Sequence, residues 1–455
     1  MPAPTPARPR GRLADALLRR PAAAVVVGFA LAAAIGAAVL MLPAAAEESP
    51  AGVVIALFTA VSALFGGLVV VDTLTYWSAF GELAILVMMQ VGGIGIMTLA
   101  TLLGLLITRR IGLRLQLTAQ EETKALGLGE VRAVTAGVVL VSLAVEAVVA
   151  AAVAVRFAAH YAEPPGRAIY LGVFHSVSAF NNAGFALFSD NMISFATDGW
   201  ICLPLAVGSI VGGLGFPVLM EAWRRARGRA VRWSLHVRIT VITYMVLLVV
   251  GVAAFLIGEW TNPGTLGRTD TAGKLVIGLF HGVQPRTTGF NSVDMGQARP
   301  GTLLITDLLM FVGGGSGSTA GGIKVTTFAL LAFVMLAEVR GDPTVHVLGR
   351  RLPGAAQRQA VTVALAGVGL VMLCTIFLLE ITPFGLDAVL FEVVSAFGTV
   401  GLSTGITAAI PPAGLLALTA MMFLGGLGPI TLASALALRE RGRRYELPEE
   451  RTIIG

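Results

Sequence analysis

The stretch SAFNNAGFALFSD, residues 178–190, sets two amides, Asn181 and Asn182, and then Gly184 between long apolar runs. Three other apolar stretches break in the same way, at SALFGG (62–67), RTTG (286–289) and GTVG (398–401). Their last glycines and Gly184 recur at similar intervals: 67 to 184, 184 to 289 and 289 to 401 are steps of 117, 105 and 112 residues. A chain extended just before such a glycine aims backbone carbonyls to one side, and rings of carbonyl dipoles replace the hydration shell of a bare cation. Glycine suits the turn because it accepts positive φ and lets backbone approach backbone. No ring of acidic side chains accompanies the glycines, which favours a monovalent over a divalent ion. The candidate ligands are the carbonyls of Leu64, Phe65, Gly66 and Gly67, of Asn181, Asn182, Ala183 and Gly184, of Arg286, Thr287, Thr288 and Gly289, and of Gly398, Thr399, Val400 and Gly401. The two amides either brace this backbone or face water.

A second cluster, FVGGGSGSTAGGIK at 311–324, holds six glycines and three hydroxyl residues, too many for a regular helix in lipid. Placed below a ring of carbonyls, Gly313, Gly314, Gly315, Ser316, Gly317, Ser318, Thr319, Ala320, Gly321 and Gly322 would form a flexible loop that obstructs the path. Lys324 follows, and the apolar run continues to about residue 337. A cation at that depth is a functional candidate; snorkelling to the surface is the alternative. Asp307 and Glu146 raise the same question, Asp307 as a candidate for the pore mouth and Glu146 as a partner across helices.

Elements that could hold such loops follow from composition. The chain has 455 residues, 56% hydrophobic and 13% charged, against about 25% charged in a soluble protein. Lipid is therefore the solvent for most of it. The net charge of +6 comes from arginines in short blocks between apolar spans, a topology signal and not a nucleic-acid face. Cys202 and Cys374 lie far apart in apolar runs and suggest neither a disulfide nor a metal cluster. The first apolar run is longer than a secretory signal's and reads as a retained helix.

Eight segments are long enough to cross a bilayer: roughly 21–43, 81–107, 133–155, 200–222, 238–258, 302–338, 359–380 and 413–438. Arginine blocks precede the first and follow the second, fourth, sixth and eighth, so the expectation is a multi-pass protein with both termini cytoplasmic. Four shorter apolar segments, roughly 51–67, 168–184, 274–289 and 384–401, lie on the other side, each ending at one of the four glycines. They read as re-entrant half-helices. A second signature follows each: VGGIG at 91–95, VGGLG at 211–215, VGGGSG at 312–317 and LGGLG at 424–428. Helix packing explains any one of these, but four copies mark an internal repeat. The fold class expected is an all-α polytopic membrane protein of four helix–pore-helix–helix units with pseudo-fourfold symmetry. Its divisions are repeats at 21–107, 108–222, 223–338 and 339–438, flanked by cytoplasmic segments 1–20 and 439–455.

These residues resemble the Trk/Ktr/HKT superfamily of potassium transporters, and most closely the Ktr membrane subunit. The specific matches are FHSVSAFNNAGFALFSD (174–190), RTTGFNSVD (286–294), GGIKVTTFA (321–329), FEVVSAFGTVGLS (391–403) and GPITLA (428–433), within a likeness running from ALFTAVSA (56–63) to the terminal LPEERTIIG. The resemblance implies K⁺ uptake through one pore per chain, often promoted by Na⁺, with Gly67, Gly184, Gly289 and Gly401 as filter glycines and 313–322 as the gate. It also implies a homodimer in the plasma membrane, joined at the C-terminal segment, and a cytosolic ring of nucleotide-binding regulatory domains. Two departures stand out. Ser62 reaches Gly67 in five residues, where Ser178 to Gly184 and Ser395 to Gly401 take six. Gly426 stands where the family usually has an arginine; Lys324 is one candidate to replace that charge.

Sodium or poorly selective monovalent transport is the second reading, on account of the short first loop. A membrane-bound enzyme is a different class, but no HExxH, GxSxG or Walker motif occurs and the five histidines are scattered. His175 and His281 each follow a phenylalanine in a pore-helix segment, where a hydrogen-bonded structural role is expected over a metal site. A non-conducting scaffold is the third class. No organic cofactor and no nucleic-acid partner is expected.

Overall fold

The computed structural model describes residues 21–115, 128–228 and 232–428. The two terminal segments assigned to the cytoplasm and nearly all of GPITLA lie outside them. Apart from a two-stranded ribbon pairing His346–Val347 with Arg350–Arg351, the described chain is helices and their connections.

Among the described residues, five helices are long and apolar enough to cross a membrane: Ala23–Leu40, Ala79–Leu102, Arg132–His160, Leu235–Glu259 and Gly354–Ile381. The expected span at 200–222 is not one rod. Gly199–Leu214 and Phe216–Ala226 meet at 102°, because Gly215 sits at φ +91° and Pro217 has no N–H to continue the ladder. The overlong span at 302–338 divides into Pro300–Phe311 and Val325–Arg340, with the glycine-rich cluster as irregular chain between them. The last, Pro412–Leu427, runs to the edge of the described residues.

Four shorter helices are Val53–Phe65, Pro165–Phe180, Thr271–Val283 and Leu386–Gly398. Helices of this length rise about 20–24 Å, short of a hydrocarbon core of about 30 Å. Three of them pack against the helices on either side in sequence, as Pro165–Phe180 does against Leu128–His160 and Gly199–Leu214, while Thr271–Val283 packs on Leu235–Glu259 and on Gly199–Leu214. Pro165 opens one at a position where its missing N–H costs nothing, and Asp270 caps another by accepting from the N–H of Gly273. The C-terminal halves of the first and fourth are buried from end to end, Phe58 to Phe65 and Phe391 to Gly398, and the last turns of the other two are buried as well.

The distribution of side chains is that of a protein dissolved in lipid. Val148, Ile257 and Val339 are 71%, 80% and 80% exposed, while His175, Ser178 and Glu392 are 0% exposed. Apolar groups cover the outside and polar groups converge at the centre, where irregular backbone is tolerated only inside protein or along a water path.

Candidate ion pathway

The four short helices end in one way. Four residues after Ser62, Val283, Ser178 and Ser395 come Gly66, Thr287, Asn182 and Thr399, with φ of 79°, 78°, 53° and 52°. Left-handed backbone stops a helix, and for a residue with a Cβ it costs about 1–2 kcal/mol. Two residues further on, Gly184, Gly289 and Gly401 again have positive φ, 72°, 78° and 101°. The first arm differs. Its corresponding residue is Leu68, and its glycine, Gly67, comes one place early at φ 151°.

Neighbouring arms touch in a closed circuit. A Cβ on Gly184 would lie 2.8 Å from the carbonyl oxygen of Thr288. One on Gly289 would collide with the carbonyl of Val400, one on Gly401 would lie 2.8 Å from that of Gly67, and one on Gly66 would collide with that of Asn182. Arms one, two, three and four therefore follow each other around a ring with main-chain oxygens at its joints. The helix ends behind it each carry about half a negative charge.

Several of the candidate residues are held in or beside the helix ends. Leu64 and Phe65 remain the last turn of their helix, and the Phe65 ring packs on Phe29 and Phe423 at 5.1 and 5.3 Å. Gly398 ends its helix against the backbone of Met310. Arg286 is buried in a 3₁₀ turn, donating to the carbonyl of Leu309. Asn181 points away from the ring: its amide nitrogen donates to Gln90 at 3.0 Å and to Glu146 at 3.3 Å. Gln90 also donates to Glu146, at 3.0 Å, so Glu146 pairs across helices and fixes this pore helix to both its neighbours.

Side chains on the pore helices brace the chain leaving the ring. His175 Nδ1 donates to the carbonyl of Leu171 at 2.7 Å, leaving Nε2 to accept from the N–H of Leu187 at 3.1 Å. Glu392 accepts from the N–H of Thr404 at 3.0 Å and the hydroxyls of Ser403 and Thr407 at 2.6 and 2.7 Å. Both residues stand three before the serine, and both accepted N–H groups lie three after the glycine. In the third arm Gln284 accepts from the N–H of Phe290 at 3.0 Å. In the first arm Thr59 stands three before the serine, and no side-chain bond joins it to Val70 or Val71. The sequence signal for Glu392 was an acid inside FEVVSAF, three residues before Ser-Ala.

The glycine-rich loop lies against the helix ends behind the ring. Asn182 Nδ2 donates to Thr319 Oγ1 at 2.9 Å and its Oδ1 accepts from Thr288 at 3.1 Å, so one amide spans arm two, arm three and the loop. A Cβ on Gly321 would collide with the Thr399 side chain. Backbone bonds complete the attachment: Gly315 N–H to Gly213 at 2.8 Å, Thr319 N–H to Gly212 at 3.4 Å, Gly322 N–H to Gly425 at 3.2 Å, and Phe216 N–H to Gly317 at 3.0 Å. Each satisfied group spares a penalty of several kcal/mol inside a membrane. Ser316 bonds Thr326 at 3.0 Å, and Lys324 turns back to donate to the carbonyl of Ala320. Asp307 is buried on Pro300–Phe311, and its Oδ1 has no hydrogen-bond partner.

Residues 22–443 match the model of the family described as TrkH, cation transport protein. The chain belongs to this family. It is 37% identical to the Ktr system potassium uptake protein B of Bacillus subtilis (strain 168), over 93% of this chain and 95% of that one. It is 31% identical to the potassium/sodium uptake protein NtpJ of Enterococcus hirae, over 96% and 97%. The crystal structure of the potassium transporter TrkH from Vibrio parahaemolyticus superposes with a TM-score of 0.70 at 18% identity, covering 91% of this chain and 84% of that one. The fold is thus the TrkH fold, an all-α polytopic membrane architecture, and the protein is a transporter.

Within this family member the repeated GGxG signatures have a packing role. A Cβ on Gly92, Gly212 or Gly425 would collide with the carbonyl of Leu64, Phe180 or Phe397, each two residues after the pore-helix serine. Those glycines let the following helix press on the last turn of the pore helix. The space beside Gly426 is taken by the Phe65 ring, while Lys324 is spent on Ala320. Beyond the ring, a cavity of about 320 Å³ is lined by residues of all four arms, among them Asp72, Asp190, Asn291 and Ser403.

Proposed function

We propose that this chain is the membrane subunit of a Ktr-like potassium uptake system. The closed circuit of four loops carries the reading: main-chain oxygens of residues 66–67, 182–184, 287–289 and 399–401 form the filter for a dehydrated K⁺. The ion enters through the cavity lined by Asp72 and Asp190, exchanges water for carbonyls, and meets the loop 313–322, which obstructs the path until it moves. The full chain forms a homodimer in the plasma membrane, each copy with its own pore and both termini cytoplasmic, and a cytosolic nucleotide-binding ring moves the loop. Its repeats are those bounded at 107, 222 and 338.

One observation favours a second reading, transport of Na⁺ or of monovalent cations with poor discrimination. The first arm lacks the positive-φ glycine six residues after the serine position and the brace that the other arms have, and one relative is named a potassium/sodium uptake protein. Flux of K⁺ and Na⁺ into proteoliposomes decides between the two. Calorimetric titration with both ions, wild type against Gly401→Ser, tests the filter: the new Cβ would sit 2.8 Å from the Gly67 carbonyl oxygen, closer than contact allows, at φ +101°, so the arms must shift and K⁺ binding should weaken. Unchanged K⁺ binding would overturn the assignment.

A further inference from the structure

The helix Phe216–Ala226 is not used by the pathway, yet its first residue is bonded to the glycine-rich loop. The Phe216 N–H donates to the carbonyl of Gly317 at 3.0 Å. Gly317 also lies on Pro217, where an added Cβ would be 3.0 Å from the proline ring. The first half of the helix is fixed: Phe216 is buried with Met97, Val138 and Phe180, and Met220 packs on the same cluster.

The last turn has a different character. Trp223 is 44% exposed, and Arg224, Arg225 and Arg227 are exposed with no carboxylate partner among the described residues. The Arg227 guanidinium lies over the Trp223 ring at 4.1 Å and that of Arg225 over Trp233 at 5.8 Å. Stacking occupies the face of a guanidinium and leaves the N–H donors on its edge free. Glu221, the acid of this helix, is held by the N–H of Ser234 at 3.0 Å. The helix runs at 102° to the apolar helix before it. If that helix crosses the bilayer, this one lies along its surface, where tryptophan and arginine are the residues expected to meet headgroups.

We propose that Phe216–Ala226 is an anionic-phospholipid site that controls the loop: Arg224, Arg225 and Arg227 bind headgroup phosphates, hold the helix at the membrane surface, and so keep Phe216 bonded to Gly317 with the loop in the path. The proposal rests on the gate reading above, in that lipid acts through the loop. A protein partner is the less fitting occupant, because the exposed tryptophan sits among the arginines on a helix lying in the membrane plane.

The test uses the full chain in vesicles of phosphatidylcholine, alone or with about 30% phosphatidylglycerol. The anionic lipid should lower wild-type K⁺ flux by at least about fivefold, the effect of one arginine's surface attraction, and by more if all three engage. The triple variant Arg224→Gln, Arg225→Gln, Arg227→Gln should show high flux in both vesicles. Binding is read separately, as quenching of the Trp223 share of fluorescence (wild type minus Trp223→Phe) by brominated phosphatidylglycerol over brominated phosphatidylcholine, a preference lost in the triple variant. A variant lacking residues 315–318 should conduct freely in both lipids. If it does not, the gate reading fails, while the quenching still decides on the lipid site. Equal quenching by the two lipids, or an unchanged lipid response in the triple variant, overturns the proposal. So does a wild type indifferent to lipid whose response to an added cytosolic subunit is lost in the triple variant, since the face then docks protein.

Discussion

Thr319→Val isolates the link between the proposed filter and the glycine-rich loop. The substitution keeps shape and removes the hydroxyl that accepts from Asn182 at 2.9 Å and donates to the carbonyl of Phe180 at 3.3 Å. Asn182 is fully buried, so its Nδ2 is left with no partner, a loss of about 1–3 kcal/mol. On the proposed gate reading the cost falls on the state with the loop in place, because a displaced loop releases Asn182 to water. At about 1.4 kcal/mol per factor of ten, the population with the loop displaced rises about five- to a hundredfold. The backbone bonds to Gly212, Gly213 and Gly425 remain, so the loop still returns and the protein still folds. The assay is K⁺ flux into proteoliposomes without any cytosolic partner, with Thr319→Ser as the control that keeps the hydroxyl. Flux should rise in Thr319→Val and stay at the wild-type level in Thr319→Ser. Equal flux in all three, with the variant folded, would refute the argument; so would an equal rise in both variants.

Inserting one threonine between Gly66 and Gly67 restores the six-residue spacing from Ser62, and the ratio of K⁺ to Na⁺ flux should increase severalfold; a fall would show that the short arm is matched to its ring. Glu392→Leu removes the acceptor for Thr404, Ser403 and Thr407, leaving the buried Thr407 hydroxyl without its carboxylate partner at about 1–3 kcal/mol, and should lower K⁺ over Na⁺ discrimination in the same flux assay, with Glu392→Gln retaining part of it. At the N-terminal end of Gly199–Leu214, burial pushes the Asp198 carboxyl up, but bonds from Arg156 at 2.8 Å, Tyr161 at 3.0 Å and the N–H of Trp200 at 2.9 Å outweigh it and hold it below its ordinary value. A carboxyl held low stabilises the fold above its unfolded pKa, about 3.9, and that contribution is lost as pH falls through the folded value. Arg156→Gln should therefore lower Tm in detergent at neutral pH, with the difference from wild type shrinking below about pH 4.

The sequence by itself determined the solvent, the family and the places where the chain turns back. Apolar runs interrupted at Gly67, Gly184, Gly289 and Gly401 carried that information because hydropathy and glycine conformation are local properties, legible one residue at a time. The short first arm was likewise visible as a spacing from Ser62. Only the tertiary structure decided which faces meet. It turned Asn181 toward Glu146 and Asn182 toward Thr319, although the two are neighbours of one type. It kept Leu64, Phe65 and Gly398 in their helices and made the GGxG glycines seats for pore-helix carbonyls. It broke the expected span at Gly215 and joined the break to the glycine-rich loop. Such pairings join residues as far apart as 182 and 319. Each depends on which donor and acceptor are left without water once the helices close, and local pattern carries no record of that.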